Sequence, residues 1–159
     1  MAKTVFYSFH YTRDVHRVQL VRYINALEGQ PILNSQQWES VRRGGTAAIQ
    51  KWIDEEMAYK RAVVVLIGKE TANRPWVKYE IQKAWSINKP VVGIRIHGLS
   101  SMGEVDSIGG DPFAVAGVHG VPIFDPTARN WQGTIDSQAT YRALVSNIER
   151  WVSQGVTRQ

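Results

Sequence analysis

Cysteine is absent from all 159 residues, so disulfides and thiolate metal sites are excluded, and the absence agrees with a reducing compartment. Long apolar runs are missing too. The longest are strand-sized, far short of the roughly 20 residues a membrane helix needs, and no charged-then-apolar leader precedes the first strand. A soluble, unprocessed cytoplasmic protein with no membrane partner is expected. No G-x-G-x-x-G follows the first strand, and no G-x-x-x-x-G-K-[ST] occurs anywhere, which removes dinucleotide-cofactor and phosphate-loop machinery in its usual form. A phosphate-accepting receiver needs an aspartate after the central strand, where Gly68 and Lys69 stand. Flavin binding of the flavodoxin sort wants a Ser/Thr/Gly-rich first turn, and this one is aromatic and basic. His10, His16, His97 and His119 lack zinc spacing, so no metal and no bound cofactor are expected.

The formal net charge is +5 and the pI is about 9.6, which favours an anionic partner. Basic residues are spread along the chain rather than clustered, so a nucleic-acid platform is disfavoured. With no repeat, low-complexity tract or linker, residues 1–159 are expected to form one domain with a proper core.

Strands alternate with helices along the chain. Residues 3–9 read as a strand, and His10 to Asp14 as the loop leaving it, with Asp14 capping a helix whose apolar stripe holds Leu20, Ile24 and Leu27. Gly29 stands where a left-handed cap belongs. Residues 30–34 carry Pro31 and read as an edge strand. Residues 35–45 read as a polar, mobile connection containing Trp38, Arg43 and Gly44-Gly45. A helix over about 46–59 then leads to Ala62-Val63-Val64-Val65-Leu66-Ile67-Gly68, a run that reads as a central strand buried on both faces. Beyond the helix at Pro75, residues 91–96 read as a fourth strand, and 97–119 as a long Gly- and Ser-containing segment. Residues 121–124 read as a short fifth strand, and Tyr141 to Val152 as a strongly amphipathic helix. This order predicts a three-layer α/β sandwich: a parallel five-stranded sheet with helices on both faces and right-handed crossovers.

The stretch with most chemical content is Arg74-Pro75-Trp76-Val77-Lys78-Tyr79-Glu80-Ile81. Pro75 suits a first helical turn, and Val77, Ile81, Ala84 and Trp85 supply a buried stripe. Glu80 falls at the margin of that stripe, one turn after Trp76. A stacking face, a phenol (Tyr79) and a carboxylate therefore gather near the rim where open α/β sheets bind ligands. A solvated helix glutamate is the bland alternative. His10 sits at the same rim.

Two boxes together resemble a known family. Val5-Phe6-Tyr7-Ser8-Phe9-His10 with Asp14 resembles the first box of Toll/interleukin-1 receptor (TIR) domains. Arg74 to Ile81, a Trp followed four residues later by Glu-aliphatic, is similar to their second diagnostic box. The likeness is closer still to the TIR-like ThsB-type proteins of bacterial Thoeris antiphage systems, and it covers roughly residues 1–100. The resemblance implies a flavodoxin-like, TIR-type sheet and cleavage of NAD⁺ as substrate, with Glu80 matching the catalytic glutamate. A carboxylate suits the oxocarbenium-like state of ribosyl transfer. Ser8, Phe9, His10 and Tyr79 then become substrate-binding candidates. Phe9, Trp38 or Trp76 could stack on a base or pyridinium ring, and Arg13, Arg43 or Arg74 could meet the pyrophosphate. The resemblance further implies a cyclic ADP-ribose-type or conjugated product that signals to a receptor-effector, self-association on activation, and a phage-derived trigger. A catalytically silent interaction module, a plain NAD⁺ hydrolase and a nucleoside or deoxyribosyl transferase are the alternatives. Asn34, where TIR domains commonly carry an acid, and the 97–119 insertion depart from the pattern, and they bear on acceptor and partner rather than fold.

Overall fold

The computed structural model describes residues 3–159. Five strands, β1 (Lys3–Ser8), β2 (Leu27–Gly29), β3 (Ala62–Ile67), β4 (Val91–Arg95) and β5 (Ile123–Phe124), form one sheet in the order β2-β1-β3-β4-β5. Every pairing is parallel. This is the flavodoxin-like order, whose switch point lies between β1 and β3. The uninterrupted aliphatic β3 is buried at every position, as a central strand covered on both faces must be.

Alternation along the strands divides the core. Val5, Tyr7, Val64, Leu66, Val92 and Ile94 pack beneath α1 (Tyr11–Tyr23) and α6 (Ser137–Val152), through Val18, Val21, Leu144, Ile148 and Val152. Phe6, Val63, Val65 and Ile67 face the opposite layer, which holds α3 (Gly45–Ala58), α4 (Pro75–Ser86) and α5 (Pro112–Ala116). Ser8 follows Phe6 by two residues, so its side chain joins the α4 side. No helix among the described residues is long and apolar enough to cross a membrane.

Several local expectations are corrected. Helix α1 begins at Tyr11, capped by His10, whose Nδ1 accepts from the Arg13 N–H at 3.0 Å. Asp14 is therefore not the cap but lies inside the first turn, fully buried against Arg17. Helix α1 ends at Tyr23, Asn25 two residues on takes the left-handed conformation at φ 60°, and Gly29 instead belongs to β2. A side chain at 29 would stand 2.4 Å from the Tyr7 ring, so glycine is needed for close approach. Residues 30–34 form no strand. Pro31 lacks an N–H, and the Gln30 side-chain amide takes the ladder position, accepting from Tyr7 N–H and donating to Tyr7 C=O, both at 2.8 Å.

The supposed polar connection is helix α2 (Ser35–Arg43). A reciprocal capping box starts it: Asn34 Oδ1 accepts from Gln37 N–H and Gln37 Oε1 from Asn34 N–H. Gly44 separates α2 from α3, whose first residue, Gly45, takes φ 80°. The 97–119 segment is ordered by side-chain ties. Arg17 donates to the carbonyls of Leu99 and Glu104. Gly109 lies so close to β3's end that a Cβ there would sit 2.3 Å from Gly68 O. Asp111 then caps α5.

Candidate functional site

A cavity of about 160 Å³ opens at the carboxyl ends of β1 and β2, closed on the switch-point side by the start of α4, the helix that follows β3. Its wall comes from the β1–α1 turn (Phe9, His10, Tyr11), the chain after β2 (Gln30 to Leu33), Trp38 of α2, Trp52 of α3, and the start of α4. Five segments of the chain are thus gathered at one cavity, together with the carboxyl group of Glu80.

Pro75 occupies the first turn of α4, so Val77, Ile81 and Ala84 face β3 and the same rotation turns Glu80 inward. The glutamate lies deeper than the rim position expected from the helical wheel, with 9 % of its surface exposed. Its one hydrogen-bond partner among the described residues is Ser8, whose Oγ–H donates to Glu80 Oε1 at 2.6 Å. Burial raises the Glu80 carboxyl from its ordinary 4.5 to about 8, and the Ser8 hydrogen bond offsets only part of that. At neutral pH burial therefore favours the protonated carboxyl, with the Ser8 hydroxyl donating to Oε1. No cation contributes to its state.

Aromatic rings share the cavity wall with this group. Trp38 and Trp52 meet edge to face with centroids 6.3 Å apart, Phe9 lies 6.2 Å from Tyr11, and Trp76 stands edge-on to Tyr79 at 5.6 Å. Because His10 Nδ1 is occupied as a helix cap, its proton lies on Nε2, leaving a donor on the ring that lines the cavity. Arg74, exposed at the start of α4, stands at the mouth.

Of the residues singled out from the sequence, Phe9, His10, Trp38, Arg74, Trp76 and Glu80 all line the cavity, and Ser8 holds Glu80 from behind. Three others are placed elsewhere. Arg13 forks onto Asp106 through Nε and Nη2 at 2.8 and 3.0 Å and meets Glu70 through Nη1 at 2.6 Å, tying the 97–111 loop to α1. The Arg13 guanidinium in turn holds Asp106 below the usual carboxylate range. Arg43 is exposed at the end of α2 and outside the cavity wall. Tyr79 donates its hydroxyl to Asp54 Oδ1 at 2.8 Å, bracing α4 against α3.

Tyr11, Gln30 and Trp52 line the cavity without having been singled out. Tyr11 donates to Leu33 O at 2.5 Å and fixes the chain after β2 against the first turn. The signal for Trp52 was present as part of the α3 apolar stripe. Gln30 gave no signal, because its role depends on the neighbouring strand.

The chain is similar to known proteins. Residues 6–101 match the family described as the TIR-like domain of the Thoeris protein ThsB, a span that contains Ser8, the α2 tryptophan and Glu80. A protein of Bacillus cereus (strain MSX-D12), "Putative cyclic ADP-D-ribose synthase ThsB1", is 34% identical over 124 residues, covering 74% of this chain and 64% of its own length. The chain thus spans under two thirds of that relative.

Proposed function

The chain belongs to the TIR-like domain family of Thoeris ThsB proteins, and on that premise we propose that it cleaves the nicotinamide–ribosyl bond of NAD⁺ and returns the ribosyl cation as a cyclic ADP-ribose-type product. The observation that carries this reading is one buried carboxyl group, Glu80, positioned by Ser8 in an aromatic cavity at the carboxyl ends of β1 and β2. When the C1′–N1 bond breaks, its electron pair goes to the nicotinamide ring, which leaves neutral and needs no acid. The ribose is left with oxocarbenium character, and an ionised Glu80 stabilises it in surroundings where water does little screening. Phe9, Trp38 and Trp76 supply stacking faces for the pyridinium or adenine ring, and Arg74 meets the diphosphate at the mouth. Arg13, tied to Asp106 and Glu70, and Tyr79, tied to Asp54, support the walls rather than the substrate.

The acceptor decides between signal and depletion. A cavity with a largely aromatic wall holds little water, and a nucleophile positioned at the anomeric carbon outcompetes bulk solvent by orders of magnitude. The adenine of the same molecule is the nearest such nucleophile, giving a cyclic product that activates a separate effector in antiphage defence. About 160 Å³ is small beside the roughly 300–1,000 Å³ of sites that enclose a whole ligand. The nicotinamide riboside end fits, and the remainder lies across the mouth, where a second copy of the chain completes the enclosure. Activation by a phage-derived trigger then acts through that self-association. The whole chain functions as one domain, in the cytoplasm, with NAD⁺ as substrate rather than resident cofactor.

Mass spectrometry after incubation with NAD⁺, across a protein concentration series, tests the reading. The expected product is lighter than ADP-ribose by one water and disappears with Glu80→Gln, while circular dichroism remains normal. Linear ADP-ribose alone would establish a hydrolase, and unconsumed NAD⁺ at every concentration an interaction module.

A further inference from the structure

A buried carboxyl group is ordinarily neutralised by a neighbouring cation, and the same chain shows how readily it supplies one. Arg13 is forked onto Asp106 and also reaches Glu70, and Arg17 holds Asp14 at 3.0 Å. Among the described residues Glu80 has only the Ser8 hydroxyl. No charged side chain contributes to its state, and the groups that line the cavity with it come from every neighbouring element. Tyr7 of β1 is pushed up to about 12 by burial and stays a neutral phenol. His10 has its Nδ1 lone pair engaged as a cap. Tyr11 donates to Leu33 O. Helices α2 and α3 contribute Trp38, Trp52 and Ile53, and Arg74 is exposed at the mouth.

What shares the cavity with the carboxyl instead is π-surface, from Phe9, Tyr11, Trp38, Trp52 and Trp76. Several aromatic rings sharing one cavity with an uncompensated carboxyl form a receptor for an organic cation, since ring faces attract positive charge and the carboxylate completes the pair. We infer that the cavity selects a positively charged delocalised ring over its neutral counterpart, and that the arriving cation ionises Glu80, whose proton passes to solvent. This rests on the reading that the nicotinamide end of NAD⁺ enters the cavity. It goes beyond that reading in stating what is recognised, the charge of the oxidised ring, and in making substrate binding the step that arms the carboxylate. Charge balances throughout: a neutral acid and a pyridinium become a carboxylate–pyridinium pair and one released proton.

The probe is the carbocyclic analogue of NAD⁺, in which a methylene replaces the ribose ring oxygen so that the cationic ring is retained and the bond is not cleaved. Isothermal titration calorimetry at pH 7.5 in two buffers of different ionisation enthalpy reads proton release directly. The expected result is release of most of one proton per site, lost in Glu80→Gln, and at least roughly tenfold weaker binding of NADH, whose dihydropyridine ring is neutral. Binding of the analogue without proton release, or equal binding of NADH, overturns the inference while leaving NAD⁺ cleavage intact. Failure of the analogue to bind, together with failure to consume NAD⁺, overturns both.

Discussion

Replacing Glu80 with glutamine is expected to stabilise the folded protein increasingly as pH rises. In the native structure burial lifts this carboxyl from 4.5 to about 8, and the unfolded chain has no such burial. Between those two values the folded protein holds a proton that the unfolded chain has lost, so unfolding releases it and stability falls as pH rises. The stability tied to the neutral form is fully present below pH 4.5, declines through pH 8 and is constant above. At about 1.36 kcal/mol per pH unit, the whole interval sets an upper bound of about 5 kcal/mol, a large share of the 5–15 kcal/mol typical of a domain. Glutamine keeps the volume and can still accept from Ser8, but it cannot ionise. Urea denaturation of both proteins at intervals from pH 5 to 9 gives the difference directly, and every other titrating group cancels from it. The two curves should nearly meet at pH 5 and separate by about 1 kcal/mol per pH unit toward pH 8. Parallel curves would mean that Glu80 is already ionised in the folded protein, and the argument from burial would be refuted. The expected outcome, an inactive protein more stable than the active one, is the usual relation between a functional site and the fold that carries it.

Two further outcomes concern the loop that covers the sheet's end. Gly109→Ala would place a methyl group 2.3 Å from Gly68 O and 2.6 Å from Lys69 O; a loss of about 1–3 kcal/mol in denaturant stability is expected, and an unchanged midpoint would show that the loop does not rest on β3. Asp106→Asn removes the fork from Arg13 and is expected to lower denaturant stability modestly at neutral pH, Arg13 being solvated. Because Arg13 holds the Asp106 carboxyl below its ordinary 3.8, that stability is present above pH 4 and is lost as pH falls, so wild type and variant should converge in acid.

What could be read from the sequence follows the range of the interactions involved. Strand β3 was legible because an unbroken β-branched run leaves no other burial pattern, and α4 because Pro75 and a 3.6-residue stripe agree. Helix α2 was missed although its capping box, Asn34 with Gln37, is local: polar composition and Gly44-Gly45 outweighed it as signals of a loop. The short β2 could not be placed by propensity, since its end is set by Gln30 filling a ladder position with its side chain. The first cap passed from Asp14 to His10 because Asp14 is drawn into the core by Arg17.

The site divides in the same way. Its aromatic and basic residues were visible as types, but which cations are free depends on contacts across the chain. Arg13 is bound by a carboxylate 93 residues away, whereas Arg74 remains exposed at the mouth. The pairing of Ser8 with Glu80 spans 72 residues and follows from two periodicities, the alternation that turns Ser8 toward α4 and the helical rotation that turns Glu80 toward β1. Neither predicts that the carboxyl would be left without a countercharge. That absence emerges only when every nearby arginine has been assigned to another partner or to solvent. It also gives the cavity its chemistry, because a carboxylate already neutralised by arginine would have little attraction left for a cationic ring or for the ribosyl cation that succeeds it.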